Sequence, residues 1–84
     1  MSETPLMRQY REMKKEHSDM VLFFRVGDFY EMFDDDAIEV SALLNLTLTH
    51  KGDDPMCGIP YHAYKNYLKR LLDAGKKIAI CEQT

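Results

Sequence analysis

The strongest constraint on the fold is a Gly27-Asp28 pair set between two runs of β-branched and aromatic residues, Val21-Leu-Phe-Phe-Arg-Val26 and Phe29-Tyr-Glu-Met-Phe33. A Gly-led pair between two such runs suits a two-residue hairpin turn, and a turn that short pins the pairing register of both strands. Side chains alternate along a strand, so Phe29 and Glu31 share one face while Tyr30 and Met32 share the other. One face therefore carries a large apolar ring beside a carboxylate. Rings of that size ordinarily go inside and unpaired carboxylates stay outside. The residues alone leave two readings open: Phe29 as a core aromatic beside a solvated Glu31, or an exposed ring acting together with its acid. Tyr30, on the opposite face, is assigned to packing.

Around the hairpin, the chain alternates helical and extended patterns. Thr4 and Pro5 make an N-cap and first-turn pair, and Leu6, Met7, Tyr10, Met13 and His17 recur at helical spacing, so an amphipathic helix is expected from about Pro5 to Glu16. The first hairpin strand, from about Met20 to Val26, is apolar enough to be covered on both faces, which makes it a central strand. Asp34, Asp35 and Asp36 precede Ala37, Ile38, Val40, Ser41 and Leu44 and read as a cap with favourable first-turn charge on a second helix. Leu46 to His50 alternates and reads as a third strand. Lys51 to Pro60, rich in Gly, Pro and Asp, reads as the longest irregular segment and carries the exposed-looking Met56 and Ile59. A third helix is expected from Tyr61 to Ala74, stopped by Gly75, and a fourth strand from Lys77 to Cys81. The expectation is an α/β (α+β) fold: a mixed sheet of about four strands beginning with a hairpin, packed with three helices, as one domain over residues 1–84.

Composition narrows the function. The chain has 84 residues, 45% hydrophobic and 30% charged, which suits a small folded domain and not a disordered segment. No apolar run approaches the length of a membrane span, and Met1-Ser-Glu-Thr is not a signal peptide, so a cytoplasmic location is expected. The net charge of −3 argues against strong stand-alone nucleic-acid binding, which draws its affinity from cations facing phosphates. No phosphate-binding glycine loop, dinucleotide fingerprint or nucleophile elbow is present, so no catalytic residue and no cofactor are assigned to this chain. Two metal readings are weaker than their alternatives. Asp34 to Asp36, with His50 as an added donor, lack the further oxygen ligands a hard cation needs. His50, Cys57 and His62 fit no zinc spacing, and Cys57 and Cys81 read as reduced, partly buried thiols.

Arg25-Val-Gly-Asp-Phe-Tyr-Glu-Met-Phe33, Leu48-Thr-His-Lys51, Pro55-Met-Cys-Gly-Ile-Pro-Tyr-His62 and Ala79-Ile-Cys-Glu-Gln83 together resemble the N-terminal mismatch-recognition domain of the bacterial MutS family of DNA mismatch repair proteins. The motifs agree in order along nearly the whole chain. By that resemblance, Phe29 enters the minor groove and stacks on one base of a mismatch while Glu31 hydrogen-bonds to the same base. A carboxylate among phosphates is repelled unless it finds a donor or takes up a proton, which would add discrimination. Lys51, His62, Lys65 and Lys69 are candidate backbone contacts, each against the alternative of a solvated surface charge; His62 stands where other members carry arginine and is the weaker cation. Met56 is a secondary minor-groove candidate, or else a residue folded onto the domain.

The resemblance also implies partners: double-stranded DNA with mismatches or small loops, the remainder of a longer chain, a homodimer and a MutL-type protein. ATP and Mg would be bound by an ATPase domain absent here. The family's domain continues past Thr84, so a truncated piece with an unpaired sheet edge is expected, and such an edge tends to self-associate. The alternative class is a small α/β protein-interaction or ligand-binding module in which Phe29 is only core.

Overall fold

The computed structural model describes residues 4–82; residues 1–3, and the Gln83 that closes the last motif, lie outside the described residues. Helix α1 (Pro5–Glu16) starts as its chemistry predicts, with Pro5 in the first turn and the Met7 N–H donating to Thr4 Oγ1 at 3.2 Å. Five strands follow: β1 (Val21–Val26), β2 (Phe29–Phe33), β3 (Thr49–Lys51), β4 (Asp54–Pro60) and β5 (Ile78–Cys81). Helix α2 (Asp34–Leu44) lies between β2 and β3, and helix α3 (Tyr64–Asp73) between β4 and β5. The sheet order is β3-β4-β2-β1-β5, with β1 and β5 parallel and the other neighbours antiparallel. This is the expected α+β architecture with one strand more than anticipated.

The additional strand comes from the segment read as irregular. Lys51 pairs with Asp54 across Gly52-Asp53, and Gly52 holds φ +60, so a second two-residue hairpin closes there. The two prolines that argued against a strand fall at the ends of the β2–β4 ladder. Pro60 is the last partner, opposite Phe29, and Pro55 lies one residue beyond the Phe33–Met56 pair, where a missing N–H costs least. Ile59, expected to be exposed, is fully buried, and Met56 packs against the α1 side of the sheet. The third strand is shorter than expected, since Leu46, Thr47 and Leu48 precede its first ladder residue.

Alternation divides the core into two layers. Val21, Phe23, Tyr30, Met32, Cys57 and Ile59 face α2 and α3, where Ala37, Val40, Leu44 and Leu71 close over them. Leu22, Phe24, Phe33 and Cys81 face α1, which contributes Met7 and Tyr10. Val21 to Phe24 are all buried, as a strand covered on both faces requires. Both thiols are buried and unpaired, more enclosed than the partly buried state expected of them.

Two helix boundaries differ from expectation. The aspartates do not cap α2: they form its first turn, Phe33 stands at the cap position without a side-chain hydrogen bond, and Asp34 takes φ +55. Asp36 is instead buried, accepting from the Tyr10 hydroxyl (3.0 Å), the Leu22 N–H (3.1 Å) and Lys14 Nζ (3.0 Å). It ties α1 and β1 to α2, and burial together with this carboxylate pushes the Tyr10 phenol well above its ordinary range. The expected third helix begins as a 3₁₀ turn (Tyr61–Ala63), because Ala63 at φ −112 departs from helical geometry before α3 starts. Its end is as expected: Gly75 at φ +85 closes a Schellman motif, with Lys76 N–H to Leu71 O and Gly75 N–H to Leu72 O, both at 3.0 Å.

Candidate nucleic-acid interface

The β1–β2 turn is built around Gly27, whose φ of +59 is the conformation a two-residue turn led by glycine requires. Val26 pairs with Phe29 across it, so Gly27 and Asp28 are the whole loop. Arg25 braces the turn from below. Its Nε donates to Gly27 O at 2.6 Å and its guanidinium lies 3.6 Å from the centre of the Tyr61 ring. The Tyr61 N–H donates to Asp28 O at 2.7 Å, which fixes the end of β4 to the same turn. Sequence reasoning missed Arg25 as a support, although counting register outward from the turn places it opposite Tyr30.

Phe29, Glu31 and Phe33 project from β2 on the α1 side of the sheet, and exposure rises along the strand. Phe33 is 0% exposed, the Glu31 side chain 13% and Phe29 45%. One strand thus runs from core to rim across three same-face residues. Tyr30 and Met32, on the other face, are buried, so Tyr30 packs as expected. Gly58 on β4 pairs with Glu31, and a Cβ there would sit 3.5 Å from Phe29 Cδ2 and 4.0 Å from Glu31 Cγ. The bare backbone at Gly58 is the floor between ring and acid. Nothing in the spacing alone marks Gly58 for this; the signal appears only once β4 is recognised as the neighbour of β2.

Glu31 is not solitary. Lys51, at the end of β3, reaches across β4, and its Nζ donates to Glu31 Oε1 at 2.9 Å while lying 5.8 Å from the Phe33 ring centre. The structure therefore brings Phe29, Glu31 and Lys51 to one surface, with Met56 on the same sheet face nearer the core. His62 is exposed on the 3₁₀ turn just after Pro60, the cross-strand partner of Phe29, and so lies near the rim. Lys65 and Lys69 are exposed on α3, which packs on the opposite face of the sheet, and Lys69 Nζ pairs with Asp73 Oδ2 at 2.7 Å. They are not gathered with Phe29 and Glu31.

The remaining acids are engaged elsewhere. Asp34 and Asp54 both meet Arg11, at 3.5 and 2.7 Å, and His50 Nδ1 lies 3.0 Å from Gly52 O. Among the described residues, no three His, Cys, Asp or Glu side chains gather in a way that could hold a metal ion. Among the same residues, no helix is long and apolar enough to cross a membrane.

The hairpin rim thus exposes an aromatic ring beside a lysine-paired carboxylate on a braced α+β sheet. Comparison with known proteins gives it a family. The family described as MutS domain I matches residues 4–84. Relatives called DNA mismatch repair protein MutS are 68% identical over 81 residues in Treponema denticola, 64% over 80 in Borreliella burgdorferi and 60% over 80 in Fervidobacterium nodosum, with at least 95% of this chain covered in each. The chain belongs to the MutS domain I family and is the counterpart of the N-terminal domain of a mismatch repair protein. It spans 9–10% of the length of these curated relatives.

Proposed function

We propose that this domain reads mismatched DNA, with Phe29 as a wedge and Glu31 as the acceptor for the base the wedge meets. The observation that carries this reading is the exposure of the Phe29 ring beside Glu31 on one face of a braced hairpin rim. A core aromatic at that position would be covered, as Phe33 is four residues further along the same face. That contrast weighs against an interaction module in which Phe29 is only core.

The physical basis is differential deformability. An apolar ring pushed between base steps from the minor groove unstacks them at a few kcal/mol and kinks the duplex, and the cost falls where pairing is already defective. Base stacking on an aromatic side chain returns about 1–3 kcal/mol. Glu31 adds chemistry to shape, since an acceptor-only carboxylate favours a base edge that offers a donor. Phe29 and Glu31 reach the same base because an i, i+2 pair shares a strand face.

The chain's net charge of −3 requires that most phosphate contacts come from the rest of the protein. Lys51 and His62 lie where they could add to them, Met56 contributes to packing, and Lys65 and Lys69 are solvated charges on the far layer. ATP hydrolysis, dimerisation and any MutL-type partner belong, in this reading, to the longer protein. The test is binding of the full-length protein, wild type and Phe29→Ala, to mismatched and fully paired duplexes at one stated salt concentration. Loss of mismatch preference by about five- to 150-fold is expected from about 1–3 kcal/mol of stacking. An unchanged preference rejects the wedge.

A further inference from the structure

Lys51 is neither a plain backbone contact nor a solvated surface charge, since its ammonium is bound to Glu31 Oε1 at 2.9 Å. We propose that Lys51 is a positioning residue that screens the Glu31 carboxylate from approaching phosphates, so that the rim can rest against correctly paired DNA and release the acid to a base only after the wedge has entered. The proposal rests on the mismatch-reading assignment above and adds a residue to it.

Three features of the surface support it. First, the pairing is built across a whole strand: Lys51 stands on β3 and Glu31 on β2, with β4 between them. Gly58, the partner of Glu31 in β4, presents no side chain to obstruct the approach or compete for the carboxylate. Second, the two ends of the pair differ in exposure. The Glu31 side chain is 13% exposed and that of Lys51 38%, so the acid is turned toward the protein and the cation toward solvent. A duplex pressed on the rim meets the ammonium more readily than the acid. Third, an ammonium has three donors and Glu31 takes one, leaving donor capacity for a phosphate at the same time.

The consequence is a sorting of two bound states. On a paired duplex the wedge stays out, no base donor reaches Glu31, and the Lys51–Glu31 pair presents a nearly neutral surface to the phosphates. On a mismatch, a base donor replaces the ammonium at Glu31, while the ammonium keeps the phosphate it can reach in either state. Without Lys51 the carboxylate is bare in both states. Only the mismatched duplex offers it a substitute donor, so removal of Lys51 harms binding to paired DNA more than binding to mismatched DNA. The direction is opposite to that of a lost base contact.

The experiment is a double-mutant cycle in the full-length protein: Lys51→Met, Glu31→Gln and the double variant, each on a mismatched and a fully paired duplex across a salt series. Lys51→Met is expected to lower affinity for both duplexes, with about three- to tenfold greater loss on the paired one, from a single uncompensated charge near phosphates. With Gln at position 31 the same change should weaken both duplexes equally, lowering the salt slope by about one. Lys51→Arg, which keeps the charge, should restore the wild-type ratio. Equal losses on both duplexes whatever stands at position 31 would make Lys51 a plain phosphate contact and overturn the proposal, as would a greater loss on the mismatched duplex. Phe29→Ala measured alongside separates the two levels: if it keeps mismatch preference, the underlying reading fails and the proposal with it, whereas if it loses preference while Lys51 shows no coupling, only the proposal fails.

Discussion

Truncating Phe29 and truncating Phe33 should have very different effects on stability, although the two rings sit on the same strand and the same face. Phe33 is fully enclosed, with its ring 5.0 Å from that of Tyr10 and its carbonyl accepting from the Tyr10 hydroxyl at 3.0 Å. Phe33→Ala leaves a closed cavity and should cost about 3–5 kcal/mol. Phe29 is 45% exposed, so a little over half of its surface is covered, by Gly58 and its strand neighbours. At about 25 cal/mol per Å² on a ring of about 200 Å², that cover is worth at most about 2.8 kcal/mol, and the space left by alanine opens to water instead of forming a void. Phe29→Ala should therefore cost about 1–2 kcal/mol. The assay is urea unfolding of the 84-residue chain followed by far-UV circular dichroism. With m near 1 kcal/mol per M, the midpoint should fall by about 1–2 M for Phe29→Ala and by about 3 M or more for Phe33→Ala. A fully unfolded Phe33→Ala counts as the larger loss. Equal shifts would mean that Phe29 is held as firmly as a core residue, and the separation of rim from core along β2 would be wrong.

Three further outcomes follow from other parts of the fold. Asp36→Ala should destabilise by about 3–5 kcal/mol, because it strands the buried Leu22 N–H and removes the acceptor shared by Tyr10 and Lys14; a loss below about 1 kcal/mol in the same urea titration would refute the keystone role. Gly27→Val should cost about 1–2 kcal/mol through backbone strain at φ +59 alone, since nothing lies within 4 Å of a Cβ there, and Gly27→Ala should cost less. Burial, reinforced by the nearby Asp36, pushes the Cys57 thiol up to about 11 from an ordinary value of 9.0. The folded state then holds a proton that the unfolded chain releases above pH 9, so stability is intact below that pH and is lost as pH rises toward 11, by up to about 2–3 kcal/mol. Melting temperatures of wild type and Cys57→Ala between pH 8 and 11 check this, and parallel profiles would contradict it.

Much of this fold is written in local pattern. The Gly27-Asp28 turn, the Thr4-Pro5 helix start and the Gly75 stop each satisfy a backbone requirement that few residues meet, and each stands where the residues implied. The β3–β4 hairpin is signalled by the same dipeptide, Gly52-Asp53, yet Pro55 and Pro60 obscured it, because their tolerance depends on where the neighbouring strand ends. Asp36 shows a different limit. Three aspartates before an apolar helix look alike to any local rule, and only the arrival of Tyr10, Lys14 and Leu22 from distant parts of the chain makes one of them a buried tie. The candidate surface divides in the same way. Alternation alone puts Phe29 and Glu31 on one face, but Lys51 meets Glu31 only because β4 lies between their strands and is bare at Gly58.

That division bears on how the rim can hold a ring out in water. An exposed aromatic on a free hairpin would fold back onto the nearest apolar surface, since a two-stranded ribbon is too weak to resist. Here the turn is tied on both sides, by Arg25 to Gly27 O and by Tyr61 to Asp28 O, while β2 is paired along its length with β4 and from Phe29 to Glu31 with β1. The ring's nearest apolar refuge on its own face is already filled, by Phe33 and Tyr10. Exposure of Phe29 is thus a consequence of how completely the core below it is packed. Opening space in that core at the Phe33 site should loosen the rim before it unfolds the domain: Phe33→Leu is expected to lower mismatch preference in the full-length protein even where overall fold and paired-duplex binding survive, and an unaltered preference in a measurably destabilised Phe33→Leu would show that the rim is rigid without the packing beneath it.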